Sequence, residues 1–204
     1  MIGIINYGLG NLNSIQSIVN HVGGLSRIVN SPDDVEGISK LILPGVGAFD
    51  HGMRGLNDGK WIPALNELVL EEKVPILGIC LGMQLMCASS EEGTSPGLGW
   101  IDAKVKRFSF DDKPYGLRIP HMGWNTIKVH RPTPLFLDNE KEQRFYFVHS
   151  YHVVCEDASD ILATANYGFD IHAAFVKDNI IGMQFHPEKS HRFGKMFFKN
   201  FIEL

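Results

Sequence analysis

For its first half the chain alternates short apolar runs with amphipathic stretches. "MIGIIN" (1–6) is a β-branched apolar run stopped by "YGLGN", which predicts a buried first strand. Leu12, Ile15, Ile18, Val19 and Val22 then recur at helical spacing until Gly23 and Gly24 stop them. "LSRIV" (25–29) and "KLILP" (40–44) predict the next two strands. "WIPALNELVLEEK" (61–73) predicts a helix with Trp61, Leu65, Leu68 and Val69 on one side. "VPILGIC" (74–80) predicts a fourth strand, and "LGMQLMCAS" (81–89) a helix after it. Strands alternating with helices imply right-handed crossovers, hence an α/β fold with a mostly parallel central sheet flanked by helices.

After about residue 98 the pattern changes. "WIDAKVKRFSF" (100–110), "WNTIKVH" (124–130), "RFYFVHSYHVVC" (144–155), "DILATANY" (160–167), "IHAAFVKD" (171–178) and "NIIGMQFH" (179–186) are strand-like runs at close spacing. They predict an antiparallel extension of the sheet. "HRFGKMFFKNFIEL" (191–204) predicts a last helix, with Phe193, Met196, Phe197, Asn200 and Phe201 on its mostly apolar stripe. With no low-complexity linker and no internal repeat, residues 1–204 read as a single domain.

Composition agrees with this picture and narrows the function classes. A chain of 204 residues, 44% apolar and 21% charged, has enough material for a sizeable core. Its formal net charge of −4 gives no reason to expect nucleic acid as a partner. Cys80, Cys87 and Cys155 cannot all pair, and they show no metal-ligand spacing, which favours a reducing compartment. No basic region precedes the first apolar run, and no window approaches membrane-spanning length. A cytoplasmic protein is the expectation.

Candidate chemistry starts at Gly78-Ile79-Cys80-Leu81-Gly82. A nucleophile placed between a parallel strand and the following helix sits on a sharp turn. Its neighbours two residues away on either side pass close together there, a demand that glycine meets. The start of the helix also brings partial positive charge near the sulfur and favours the thiolate. The alternative is a buried structural cysteine, as Cys87 and Cys155 are expected to be. A cysteine nucleophile needs a base, and the base needs an orienting group. Among nine histidines, His186 stands just after an apolar strand, with Pro187 stopping the strand and Glu188 two residues on. That spacing lets Glu188 accept a hydrogen bond from one imidazole nitrogen while the other faces the thiol. A capped loop histidine would look the same.

Together these stretches carry a resemblance. "GICLGMQ" (78–84) and "QFHPE" (184–188), in this order and at this separation, resemble the class I (triad) glutamine amidotransferases. "NYGLGNL" (6–12), "LPGVGAF" (43–49), "PHMGWN" (120–125), "YFVHSY" (146–151) and "HPEKS" (186–190) extend the likeness along the chain. The resemblance implies the family's flavodoxin-like α/β fold and a Cys80, His186, Glu188 triad that hydrolyses the side-chain amide of glutamine. It implies no cofactor and no metal. The oxyanion would be held by the N–H of Leu81 and by a peptide in "PGVG", around Val46 and Gly47, that points away in the resting enzyme. The plain alternative for "PGVG" is an ordinary glycine-rich loop. Gly45, Gly47, Gln84, Glu92, His149, Ser150 and Tyr151 are implied as the glutamine-binding set, although Gln84 and Glu92 also suit a polar helix position and a solvated loop. His149 and Ser150 equally suit satisfied strand residues.

Ammonia released into bulk water would be protonated, so the family delivers it to a docked synthase. The implied partner is a (β/α)8-barrel synthase or cyclase subunit in a heterodimer, with Tyr7, Asn11, His121, Met122, Trp124, Asn125 and Lys189 at the interface. Trp124 would otherwise be a core aromatic on its strand. The likeness is greatest to glutaminase subunits of histidine biosynthesis. Paralogues that supply ammonia for sugar amination in bacterial surface polysaccharides are the alternative, since "GLGWIDAKVKRF" (97–108) and "EKSHRFG" (188–194) depart from the histidine-pathway pattern.

Overall fold

The structure is a computed structural model that describes residues 1–110, 116–136 and 142–204. β1 (Ile2–Ile5) is followed by α1 (Leu12–His21), β2 (Ser26–Val29), β3 (Lys40–Leu43), α2 (Phe49–Asp58) and α3 (Trp61–Asn66). α3 runs on into a π-helical turn, Glu67–Glu71. Then come β4 (Ile76–Ile79), α4 (Leu81–Leu85), β5 (Ser89–Ser90), β6 (Ala103–Arg107), β7 (His121–Val129), β8 (Gln143–His149) and β9 (Tyr151–Cys155). β10 (Ile161–Asn166), β11 (Asp170–Lys177), β12 (Ile180–Met183) and α5 (His191–Glu203) complete the chain.

Among the described residues the main sheet has nine strands in the order β2-β1-β3-β4-β12-β11-β10-β7-β8, and β5-β6-β9 form a small second sheet. The pairs from β2 to β12 are parallel, and those from β12 to β8 are antiparallel. The antiparallel extension expected from the close-spaced runs is therefore present. Side chains alternate across each strand. Ile4 faces one core with Ile15, Val19, Phe197 and Phe201 from α1 and α5. Ile5 faces the other with Phe49, Leu56, Trp61 and Leu65 from α2 and α3. Among the described residues no helix is long and apolar enough to cross a membrane.

Two features differ from the sequence reading. α2 lies in a segment with no predicted helix, although Phe49, Met53 and Leu56 are buried at helical spacing; Gly52, Gly55 and three polar neighbours mask that stripe. The run 144–155 is two strands. It breaks at Ser150, whose carbonyl accepts from Phe108 N at 3.1 Å, and passes from the main sheet into the small one.

Candidate active site

Cys80 sits between β4 and α4 with φ 53° and ψ −106°, a left-handed conformation that costs a side-chain-bearing residue energy. The close packing around it explains the flanking glycines. A Cβ on Gly82 would lie 1.9 Å from the Leu43 carbonyl oxygen, and one on Gly78 would lie 2.8 Å from Met83 N. The elbow is also anchored to the neighbouring strand, since Cys80 N donates to Met183 O at 2.7 Å.

That anchor brings the second half of the chain to the sulfur. β12 runs parallel to β4, with Met183 paired to Ile79, so the residues leaving β12 emerge beside Cys80. His186, three positions on, is 1% exposed. Its Nδ1 lies 2.8 Å from Glu188 Oε1, and both side chains are almost wholly buried. Ser190 locks the turn between them by donating to His186 O at 2.6 Å and accepting from Tyr146 N at 3.0 Å. His186 Nε2 meets no acceptor at good hydrogen-bond geometry, yet the sulfur is near enough to act on the ring. Burial alone would favour the neutral imidazole. The Cys80 sulfur and the Glu188 carboxylate outweigh it and raise the His186 pKa to about 10.

A pocket of about 390 Å³ opens over these groups. Cys80, His186, Leu81, Val46, Gly47, Gln84, Glu92, His149, Ser150 and Tyr151 all line it, with Pro120 and Val148. Leu81 is the first residue of α4, where an amide has no acceptor within the helix. Val46 is 41% exposed in the loop after β3, while Gly45 is buried beneath the elbow and Gly47 has φ +109°. Glu92 is held in place by accepting from Phe49 N at 2.9 Å, at the start of α2. Behind the pocket Asn125 Nδ2 lies 3.3 Å from His121 Nε2, His121 Nδ1 lies 3.0 Å from His149 Nε2, and His149 Nδ1 lies 2.7 Å from Tyr151 O. Burial lowers the pKa of His149 to about 3 and of His121 to about 4, so both rings are neutral.

The expected partner face divides. Alternation along β7 exposes Met122 and Trp124, at 62% and 41%, and turns His121 inward. Trp124 stacks on His191 with ring centroids 5.6 Å apart. Asn11 and Lys189 are exposed, and Asn125 is half-buried. Tyr7 and His121, expected at the interface, are instead buried. Tyr7 donates its hydroxyl to Pro44 O at 2.6 Å and so braces the loop after β3 from within.

The family model for class-I glutamine amidotransferases matches residues 4–204. The chain belongs to that family. This amidotransferase is 49% identical over 203 residues to "Imidazole glycerol phosphate synthase subunit HisH 2" of Methanococcus maripaludis, covering 100% of this chain and 99% of that protein. It is 44% identical over 204 residues to "Imidazole glycerol phosphate synthase subunit HisH" of Leptospira borgpetersenii, covering 100% of both. A chain of the PurLQS structure from Thermotoga maritima shares the fold with a TM-score of 0.73 at 20% identity, over 98% of this chain and 94% of that one.

Three residues of the amidotransferase site were not foreseen from the sequence. Ser190 and Gly194 hold the turn that carries Glu188, and Gln184 is a fully buried amide beside Cys80. A polar residue between Met183 and Phe185 at the end of an apolar strand was the available signal for Gln184.

Proposed function

We propose that this chain is the glutaminase subunit of an imidazole glycerol phosphate synthase in histidine biosynthesis. It hydrolyses glutamine to glutamate and passes the ammonia to a (β/α)8-barrel cyclase subunit in a cytoplasmic heterodimer, with residues 1–204 as one glutaminase domain. The observation that carries the glutaminase reading is that Cys80 and His186 line one pocket while Glu188 holds the far side of the imidazole; the full-length likeness to imidazole glycerol phosphate synthase subunits supports the pathway.

In the reaction we assign, the Cys80 thiolate attacks the carboxamide carbon of glutamine and charge moves to the former carbonyl oxygen. The N–H of Leu81 and a peptide N–H in the Val46–Gly47 segment stabilise that oxygen. The His186 imidazolium gives its proton to the leaving nitrogen, releasing ammonia and leaving a thioester. Neutral His186 then takes a proton from water as the water attacks the thioester. Glutamate departs, and the thiolate and imidazolium are restored. Glu188 fixes the ring through Nδ1 and supports its charge. Gly47, Gln84, Glu92, His149, Ser150 and Tyr151 hold the amino-acid end of the substrate, while Gly45, expected in that set, is packed beneath the elbow against Leu81 and Gly82 and does not line the pocket. Met122 and Trp124, with Asn11, Asn125 and Lys189, form the surface that docks the barrel; exposed Trp and Met side chains suit an interface core.

The test is glutamine hydrolysis by the chain alone and with purified barrel subunits, each with its own ligand. A large rise with the histidine-pathway cyclase and its aminoimidazole ligand is the expected result. A rise only with a sugar-aminating synthase would overturn the pathway. No turnover with any partner would overturn the glutaminase assignment.

A further inference from the structure

We propose that Gln184 is a positioning residue of this glutaminase, acting through the two ends of its side-chain amide on Cys80 and on Gln84. The inference rests on the glutaminase reading above. Gln184 lies just past β12, flanked by Met183 and Phe185, and is 0% exposed. Burying an amide costs free energy unless both ends find partners, and an apolar side chain of the same volume would fill this place without that cost. Here both ends are used. Nε2 donates toward Cys80 Sγ at 3.7 Å, and Oε1 accepts from Gln84 Nε2 at 3.0 Å.

The first contact places an N–H on the sulfur, where it favours thiolate over thiol. The second fixes the Gln84 amide. One Gln84 N–H goes to Gln184 Oε1 and the other to Tyr151 O at 3.1 Å, so both donors are spent inward. The Gln84 oxygen is then left as an acceptor in the pocket that Gln84 lines. A reversed Gln84 amide would set oxygen against oxygen at both Gln184 and Tyr151. Tyr151 O cannot turn donor, and it already accepts from the neutral His149 ring. Gln184 thus adds an N–H to a sulfur that also faces the His186 ring and, at 4.0 Å, the Val148 carbonyl, and it sets the polarity that Gln84 offers to substrate.

The experiment uses the full chain carrying Gln184→Met, which keeps the side chain's length and removes both polar ends. Gln184→Leu is the second variant if the thioether is not accommodated. Circular dichroism and the unfolding midpoint report folding. The rate of Cys80 alkylation by iodoacetamide is followed against pH, with peptide mass spectrometry locating the adduct, and then kcat and KM for glutamine are measured. Cys87 and Cys155 are buried with raised pKa values, which keeps their background low. The expected result is an alkylation midpoint about one pH unit higher, and a KM about tenfold higher than wild type. A folded variant with either quantity unmoved overturns the proposal, as does failure of both variants to fold, which would mark Gln184 as structural. The alkylation arm needs no glutamine. An alkylation midpoint that moves with the substitution, in a protein whose wild-type form never turns over glutamine, would sink the glutaminase reading and leave the sulfur contact standing.

Discussion

Gly194 of α5 packs so closely on Pro187 that a Cβ there would lie 1.8 Å from the Pro187 carbonyl oxygen. Gly194 N also donates to Ser190 O at 3.1 Å, so the first turn of α5 is the floor on which the His186–Glu188 turn rests. Gly194→Ala should lower stability by about 1–3 kcal/mol, the usual cost of overpacking. It should also lower kcat, because Glu188 is displaced from the imidazole. Thermal unfolding and steady-state kinetics check the two effects, and a variant with wild-type values of both would refute the role of this contact.

Cys80→Ala should abolish glutamine-dependent synthesis by the assembled enzyme while added ammonia still drives the partner's reaction. His186→Ala should behave alike. Glu188→Gln should be milder by roughly 10²-fold, as the orienting member of a hydrolase triad contributes less than the nucleophile or base. Assays with glutamine and with ammonium salt at alkaline pH separate the cases; normal glutamine use by Cys80→Ala would end the mechanism.

Stability should fall on both sides of neutrality. Burial holds His121, His149 and His152 at about 4, 3 and 4. Unfolded histidines titrate near 6.5, so as pH falls below that value the unfolded chain takes up protons that the folded chain refuses, and stability drops. His186, raised to about 10, acts in the opposite sense. Its contribution is fully present below about 6.5 and is lost as pH rises through 10. Denaturant titrations at pH 5.5, 7 and 9 should give the largest unfolding free energy at pH 7. A flat profile would contradict the burial of these rings.

Trp124→Ala should weaken binding of the barrel subunit by about 30-fold, the effect of losing a hot-spot contact of about 2 kcal/mol. Glutamine hydrolysis by the isolated chain should change little, since Trp124 touches Tyr146 and His191 and does not line the pocket. Titration calorimetry together with the partner-free assay would check this, and equal affinity would place the docking surface elsewhere.

Much of this site was legible because its constraints are local. The elbow's glycines answer to contacts within a few residues or on the adjacent strand, and His186 and Glu188 meet across two positions. The α2 helix was less legible, because its apolar stripe is thin and interrupted by glycines. Tyr7 and His121 are placed by neighbours far away in the chain, Pro44 for one and His149 for the other, and polarity at their own positions does not reveal burial.

The sequence by itself determined the alternation of strands and helices, the bend at Cys80 and the pairing of an imidazole with a carboxylate, since each depends on periodicity, steric freedom or short reach. Only the tertiary structure decided that β12 lies next to β4 and so delivers His186 to Cys80, because strand order depends on which apolar faces pack together across the sheet. It also decided which buried amides join to the nucleophile: Gln84 and Gln184 are 100 positions apart and meet only because the sheet and α4 close on one another.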